Sequence, residues 1–244
     1  MSRYTRDQIH RLRKRHRGYI VMLMCELAFL VLLPLCDIWP PLLSVLLISL
    51  TVVLVRLIGR YSLLPRHQAL VLNLGLLAIA LEVTWQLSLR WLYPLGHWLT
   101  LPHVLIWLLF FFLTTLRMIQ SLIREPFVTL AVVMGAAQGY LLIGVAGGVL
   151  LTATYELHPL AFDPAVLNAS LHSSLTEQWG DAGSVLQFAP VLMAASFNLL
   201  TTVGSGVMNS GDVTSQVVVT AITVSGQLYV AILIALILGR FHQR

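Results

Sequence analysis

The hydrophobic positions of this chain fall into long unbroken runs, not amphipathic stripes. Residues 18–36, 40–58, 68–92, 100–123, 127–155 and 214–238 are apolar almost throughout, and each is long enough, at roughly 20 residues, to cross a bilayer as a helix. Backbone polar groups in hydrocarbon must be satisfied within the segment, so helices are the expected form. A seventh apolar stretch, 184–203, is shorter and ends in small polar residues. It is too short to cross and return. A helix stopping there in lipid would leave carbonyls unpaired at several kcal/mol each. Irregular backbone is tolerated at that depth only when buried in protein or lining water, so this stretch predicts a re-entrant helix and loop facing an aqueous path.

Composition agrees. The 244 residues are 58% hydrophobic and 10% charged, with mean hydropathy +0.85, against about 25% charged residues in soluble domains. The first apolar run lacks a small-residue cleavage site and predicts a retained helix, not a signal peptide. Cys25 and Cys36 lie in that same run, which argues against a structural disulfide or metal site.

The net charge of +5 does not indicate nucleic acid, because the charges are sorted by loop. Arg3, Arg6, Arg11, Arg13, Lys14, Arg15, Arg17, Arg56, Arg60, Arg66, Arg117, Arg124, Arg240 and Arg244 fall on one side of a six-span topology, with Arg90 alone opposite. The positive-inside rule then puts both termini in the cytoplasm. Asp37, Glu156, Asp163, Glu177, Asp181 and Asp212 fall outside. The basic segment 1–17 is expected to touch anionic lipid headgroups.

Short connections, 37–39 and 61–66, predict that the first four spans form one bundle. Pro126 predicts a break before the fifth span. That span carries Gly135, Gly139, Gly144 and Gly148 at spacings that let helices approach closely. Asn168-Ala169-Ser170 is a glycosylation triplet by pattern only.

Two stretches carry a resemblance to a known family. Ser196-Phe197-Asn198-Leu199-Leu200-Thr201-Thr202-Val203-Gly204 resembles the pore helix and the start of the filter of tetrameric potassium channels. SGQLYVAILIALILGRF, 225–241, is similar to the inner helix of their bacterial members. The resemblance covers 127–244, and the first four spans match in number and orientation. It implies an all-α membrane protein with six transmembrane helices, a re-entrant pore helix and a filter loop, in a tetrameric voltage-gated-like channel architecture. The implied organisation is a basic segment 1–17, a four-helix domain 18–124 and a pore domain 125–244. The last contains an outer helix 127–155, outer loop 156–183, pore helix 184–201, filter 202–212 and inner helix 214–241. The resemblance also implies a homotetramer and a permeating K⁺, or Na⁺, with no other cofactor.

A filter of this kind replaces the ion's water with rings of backbone carbonyls. Thr201, Thr202, Val203, Gly204, Ser205 and Gly206 would supply them, with Gly204 and Gly206 taking positive φ to aim successive carbonyls inward. The family text continues Thr-Val-Gly-Tyr-Gly-Asp. Here Ser205 replaces the Tyr, and Val207, Met208, Asn209, Ser210 and Gly211 precede Asp212, or else Ser210-Gly211-Asp212 stands for Tyr-Gly-Asp with the insertion inside the filter. Loss of the bracing ring and displacement of the acid predict a looser filter, tightened by deletion of 207–211. Potassium-selective conduction, weakly selective cation conduction and a non-conducting homologue acting through partners all remain open at this point. A secondary transporter is disfavoured, since no internal repeat with matching broken helices is present.

Glu26 and Glu82 are intramembrane carboxylates, functional candidates by default. Ion pairs of Glu26 with Arg56 or Arg117 are expected to hold the bundle together, with a vestigial sensor or a proton site as the alternatives. Arg117 and Arg124 near the inner end of the fourth span are too few for a voltage sensor. Gln138 and Gln227 are expected to hydrogen-bond between helices. Thr220 and Thr223 are candidates for the cavity wall, and Gly226 reads equally as a hinge or as a packing residue. The eight His residues, His103 among them, show no metal-ligand spacing, and no catalytic constellation indicates an enzyme. With the sequence ending at Arg244, no cytosolic ligand-binding domain is expected after the last span.

Overall fold

A computed structural model describes residues 6–61, 68–91, 93–123, 129–170 and 183–241. Arg3, Arg66, Arg124, Pro126, His172, Glu177, Asp181 and Arg244 lie outside them. The described residues form an all-helical membrane protein. Its helices are α1 (Arg6–Ile38), α2 (Pro41–Tyr61), α3 (Gln68–Trp91), α4 (Tyr93–Ile123), α5 (Leu130–Leu157), α6 (Pro164–Ser170), α7 (Gly183–Leu200) and α8 (Val213–Phe241), with a 3-10 turn at Pro159–Ala161.

Five helices are long and apolar enough to span a bilayer, within α1, α3, α4, α5 and α8. In α2 the apolar part, Pro41–Leu57, is shorter. Lipid-type surface covers the outside. Val31, Leu76 and Val217 are 73%, 62% and 62% exposed, and Trp39, Trp91 and Trp98 stand exposed at the α1–α2 and α3–α4 turns, as in the aromatic belts of membrane interfaces. Cys25 and Cys36 are free thiols.

The hub is α5, packed against α1, α4, α7 and α8. Its glycines explain why. A Cβ at Gly148 would collide with the Met193 thioether and meet the Met193 Cα at 3.0 Å, and one at Gly144 would collide with the Phe197 ring. Only the missing side chains let α7 lie this close. The core runs from Tyr19 and Phe29 of α1 through Trp107, Phe110 and Phe111 of α4 to Leu142 and Met193.

The last long helix is different. Ser215, Ile222, Gly226 and Tyr229 form one buried stripe on α8, spaced seven, four and three residues apart as on a single helix face. Outside that stripe Val213, Val217, Val224, Leu228, Ile232 and Ile234 are exposed.

Candidate functional site

Three pairings set the course of α7 against α5. Phe188 faces Tyr155, with ring centroids 5.3 Å apart. Ser196 Oγ donates to Gly144 O at 2.7 Å, and the Tyr140 hydroxyl donates to Leu200 O at 3.0 Å. The two helices therefore run antiparallel. α7 ends beside Tyr140, ten residues into α5 from Leu130, or about 15 Å along its axis. On α8 the same level is marked by Thr223, whose Oγ1 donates to Leu199 O at 3.2 Å, and by Gly226, where a Cβ would lie 2.8 Å from Leu200 O.

From Leu200 the chain turns back. Thr202 N donates to Leu199 O at 3.1 Å and Val203 N to Asn198 O at 3.0 Å, the pair of bonds that makes a Schellman C-cap. That motif needs a left-handed residue at its second-last position, usually Gly. Here it is Thr202, at φ 63, an unusual conformation for a β-branched residue. Gly204 follows at φ 86. The expectation for Gly204 holds. For Gly206 it does not, since its φ is not positive, and the second left-handed residue is Thr202. Thr201, Thr202, Val203, Gly204 and Gly206 are exposed, Val203 at 78%, and Ser205 is half-buried.

The insertion has a definite seat. Met208 pairs with Phe162 as an antiparallel bridge, through Asp163 N to Val207 O and Asn209 N to Ala161 O, both at 2.9 Å. Val207 and Met208 are buried with Ala161, Phe162, Leu167 and Phe188. Asn209 Nδ2 donates to Leu160 O, and Gly211 N to Asn209 Oδ1. Residues 207–211 clamp the end of the loop to the turn after α5. Ser210 is exposed, and its carbonyl accepts from Gln216 Nε2.

Asp212 is the N-cap of α8. Its Oδ2 accepts from Ser215 N at 2.8 Å, and Oδ1 lies 3.3 Å from His158 Nε2 at the end of α5. The Ser215 backbone N–H first, and then the His158 partner, hold its carboxyl below the usual carboxylate range.

The C-terminal carbonyls of α7 are all occupied from within the chain. Phe197 O accepts from Thr201 N and Oγ1, Asn198 O from Val203 N and Gly204 N, Leu199 O from Thr202 N and Thr223 Oγ1, and Leu200 O from Tyr140. Thr223 is thus a clasp on the end of α7 and not a free hydroxyl of a cavity wall, while Thr220 is exposed. Gly226 is a close-contact residue against Leu200.

The expected arginine partners of the intramembrane acids are not used. Arg117 donates to Gln120 at 3.1 Å and Arg56 is exposed, while both oxygens of buried Glu26 lack a hydrogen-bond partner. Gln138 closes no hydrogen bond either, and Gln227 is exposed.

Glu82 is served by His103 and not by Arg56 or Arg117. His103 Nε2 lies 2.5 Å from Glu82 Oε2, Trp107 Nε1 donates to the same oxygen at 2.9 Å, and the His103 ring stacks on Trp85 with centroids 4.6 Å apart. Ser44 and Gln86 extend the cluster. A cavity of about 50 Å³ beside it reaches Thr152 of α5 and Met193 of α7. The sequence held a signal for this pair. Glu82 stands nine residues before Trp91, the end of α3, and His103 ten residues after Tyr93, the start of α4, hence at one depth in an antiparallel hairpin. Among the described residues no group of three or more His, Cys, Asp or Glu could hold a metal ion.

Comparison with protein families, curated proteins and solved structures returns no match.

Proposed function

We propose that the chain is one subunit of a homotetrameric cation channel of the plasma (inner) membrane. In this reading it has six spans, both termini are cytoplasmic and α7 is a re-entrant pore helix. One observation carries the reading. α7 ends level with Tyr140 and Gly226, inside the lengths of the apolar helices α5 and α8, and the chain comes back through residues 201–208 to the Phe162 end of the molecule. A soluble or purely scaffolding helix pair has no use for exposed irregular backbone at that depth. Backbone of this kind is tolerated where it lines a water-filled path.

Four copies around an axis would bring the carbonyls of residues 201–206 into rings able to take over an ion's hydration. Left-handed Thr202 and Gly204 turn successive peptide groups, and the Thr202 hydroxyl would add an inner ring of oxygens. The broad exposed surface of α8 is the face on which copies would meet. K⁺ is the favoured ion, with Na⁺ next, and permeation is passive.

A second reading, a non-conducting homologue acting through its neighbours, is favoured by the α7 C-terminus. Its four last carbonyls are bonded within the chain, which weakens the field it would offer a cation.

Reconstitution into liposomes tests both readings. Uptake of K⁺ or Rb⁺ down a gradient, together with a tetramer on native gels, is the expected result. A tetramer without flux selects the second reading, and a monomer overturns both.

A further inference from the structure

Glu26 sits in the middle of the α1 span, ten residues from His16 and twelve from Ile38, and is 2% exposed. Among the described residues neither carboxyl oxygen has a hydrogen-bond partner. The same is true of both polar atoms of Gln138, which is wholly buried on α5 and is the polar group facing Glu26.

Among the described residues, no element around the pair supplies a counter-charge for it. The nearby ionisable groups are the Cys25 thiol on α1 and the Tyr229 phenol on α8, and the latter is committed to Ala136 O at 2.6 Å. α7 carries no charged residue, and Arg56 of α2 is exposed. On α4, Arg117 borders a cavity of about 20 Å³ beside Gln138, but its guanidinium is bound to Gln120.

A bare carboxylate here would be an ion without a partner in a low-dielectric site, an arrangement proteins relieve by neutralising the group. A carboxylic acid closes the hydrogen-bond accounting instead. Its O–H donates to Gln138 Oε1 while its carbonyl oxygen accepts from Gln138 Nε2. One proton and a small rotation of two side chains satisfy four orphaned atoms.

We propose that Glu26 and Gln138 form a buried proton-binding site, a neutral acid–amide pair joining α1 to α5 beside the point where Tyr229 ties α8 to α5. The site does not depend on ion conduction. It makes the junction of the peripheral bundle with α5 and α8 a place where one proton is held.

Infrared spectroscopy of the whole chain in lipid at neutral pH tests this. The expected spectrum contains a carboxylic-acid C=O band that shifts in D₂O, disappears in Glu26→Gln and moves to higher frequency in Gln138→Leu, where its hydrogen bond is gone. Glu26→Gln, which mimics the neutral acid, should melt with the wild type, whereas Glu26→Ala should melt lower. A spectrum without the band, a band that survives Glu26→Gln, or a Glu26→Gln protein as unstable as Glu26→Ala or unable to fold, each overturns the proposal.

Discussion

Gly226→Ala isolates the contact that fixes the level at which α7 stops. The added methyl would lie 2.8 Å from the Leu200 carbonyl oxygen and 2.8 Å from Leu200 Cδ1. The side chain can swing aside, but the carbonyl is held by the Tyr140 hydroxyl at 3.0 Å. To make room, α8 must back away by a few tenths of an ångström, which also strains the Thr223–Leu199 bond at 3.2 Å. Overpacking of this kind costs about 1–3 kcal/mol, and a weakened buried hydrogen bond about 1 kcal/mol more. Ala improves helix propensity by about 1 kcal/mol over Gly. The net expectation is a loss of about 2 kcal/mol, read as a lower unfolding midpoint in detergent. Tyr140→Phe should cost about 1 kcal/mol alone and little more in the Gly226→Ala background, because the Leu200 carbonyl, no longer held, can then move away from the added methyl. A Gly226→Ala protein as stable as the wild type, or strictly additive effects, would refute the close contact and restore the hinge reading of Gly226.

Thr202→Gly relieves a left-handed β-branched residue and should raise stability by about 0.5–1 kcal/mol, yet lower cation flux by removing the hydroxyl, so paired melting and flux measurements should move in opposite directions. His103→Ala strips Glu82 of its partner and should destabilise by about 3–5 kcal/mol, a loss that chemical denaturation would register. Deleting residues 207–211 should unfold the Phe162–Met208 bridge and cost about 3–5 kcal/mol through lost burial and pairing, seen as protease sensitivity between α7 and α8, in place of the sharper ion preference the sequence suggests. The Asp212 carboxylate, lowered from 3.8 chiefly by the Ser215 N–H, adds stability that is fully present above the ordinary carboxylate range. That stability fades as pH falls through the lowered folded value. The melting difference between wild type and Asp212→Asn should therefore be constant at neutral pH and close in acid.

The helices were legible in the sequence because burial in lipid leaves the backbone one inexpensive solution over 20 apolar residues. The clash between an apolar helix and Thr-Thr-Val-Gly-Ser-Gly at membrane depth pointed to 184–206 for the same reason. Gly204 and Gly206 marked the turn, though not that Thr202 and not Gly206 would be the second left-handed residue. That depends on where the last α7 turn closes, and Asn198 and Leu199 close it on Thr202 and Val203.

What the sequence by itself determined was the membrane class, the long apolar segments and the position of the interruption. Only the tertiary structure decided the partners. His103 and not an arginine meets Glu82, Gln138 faces Glu26, Phe162 receives Met208, and Gly226 touches Leu200. Each of these joins residues 21 to 112 positions apart. Apolar helices of similar composition can pack in many rotations, and the rotation chosen here is set by where α5 lacks side chains. That is a property of a surface, and no local stretch of sequence carries it.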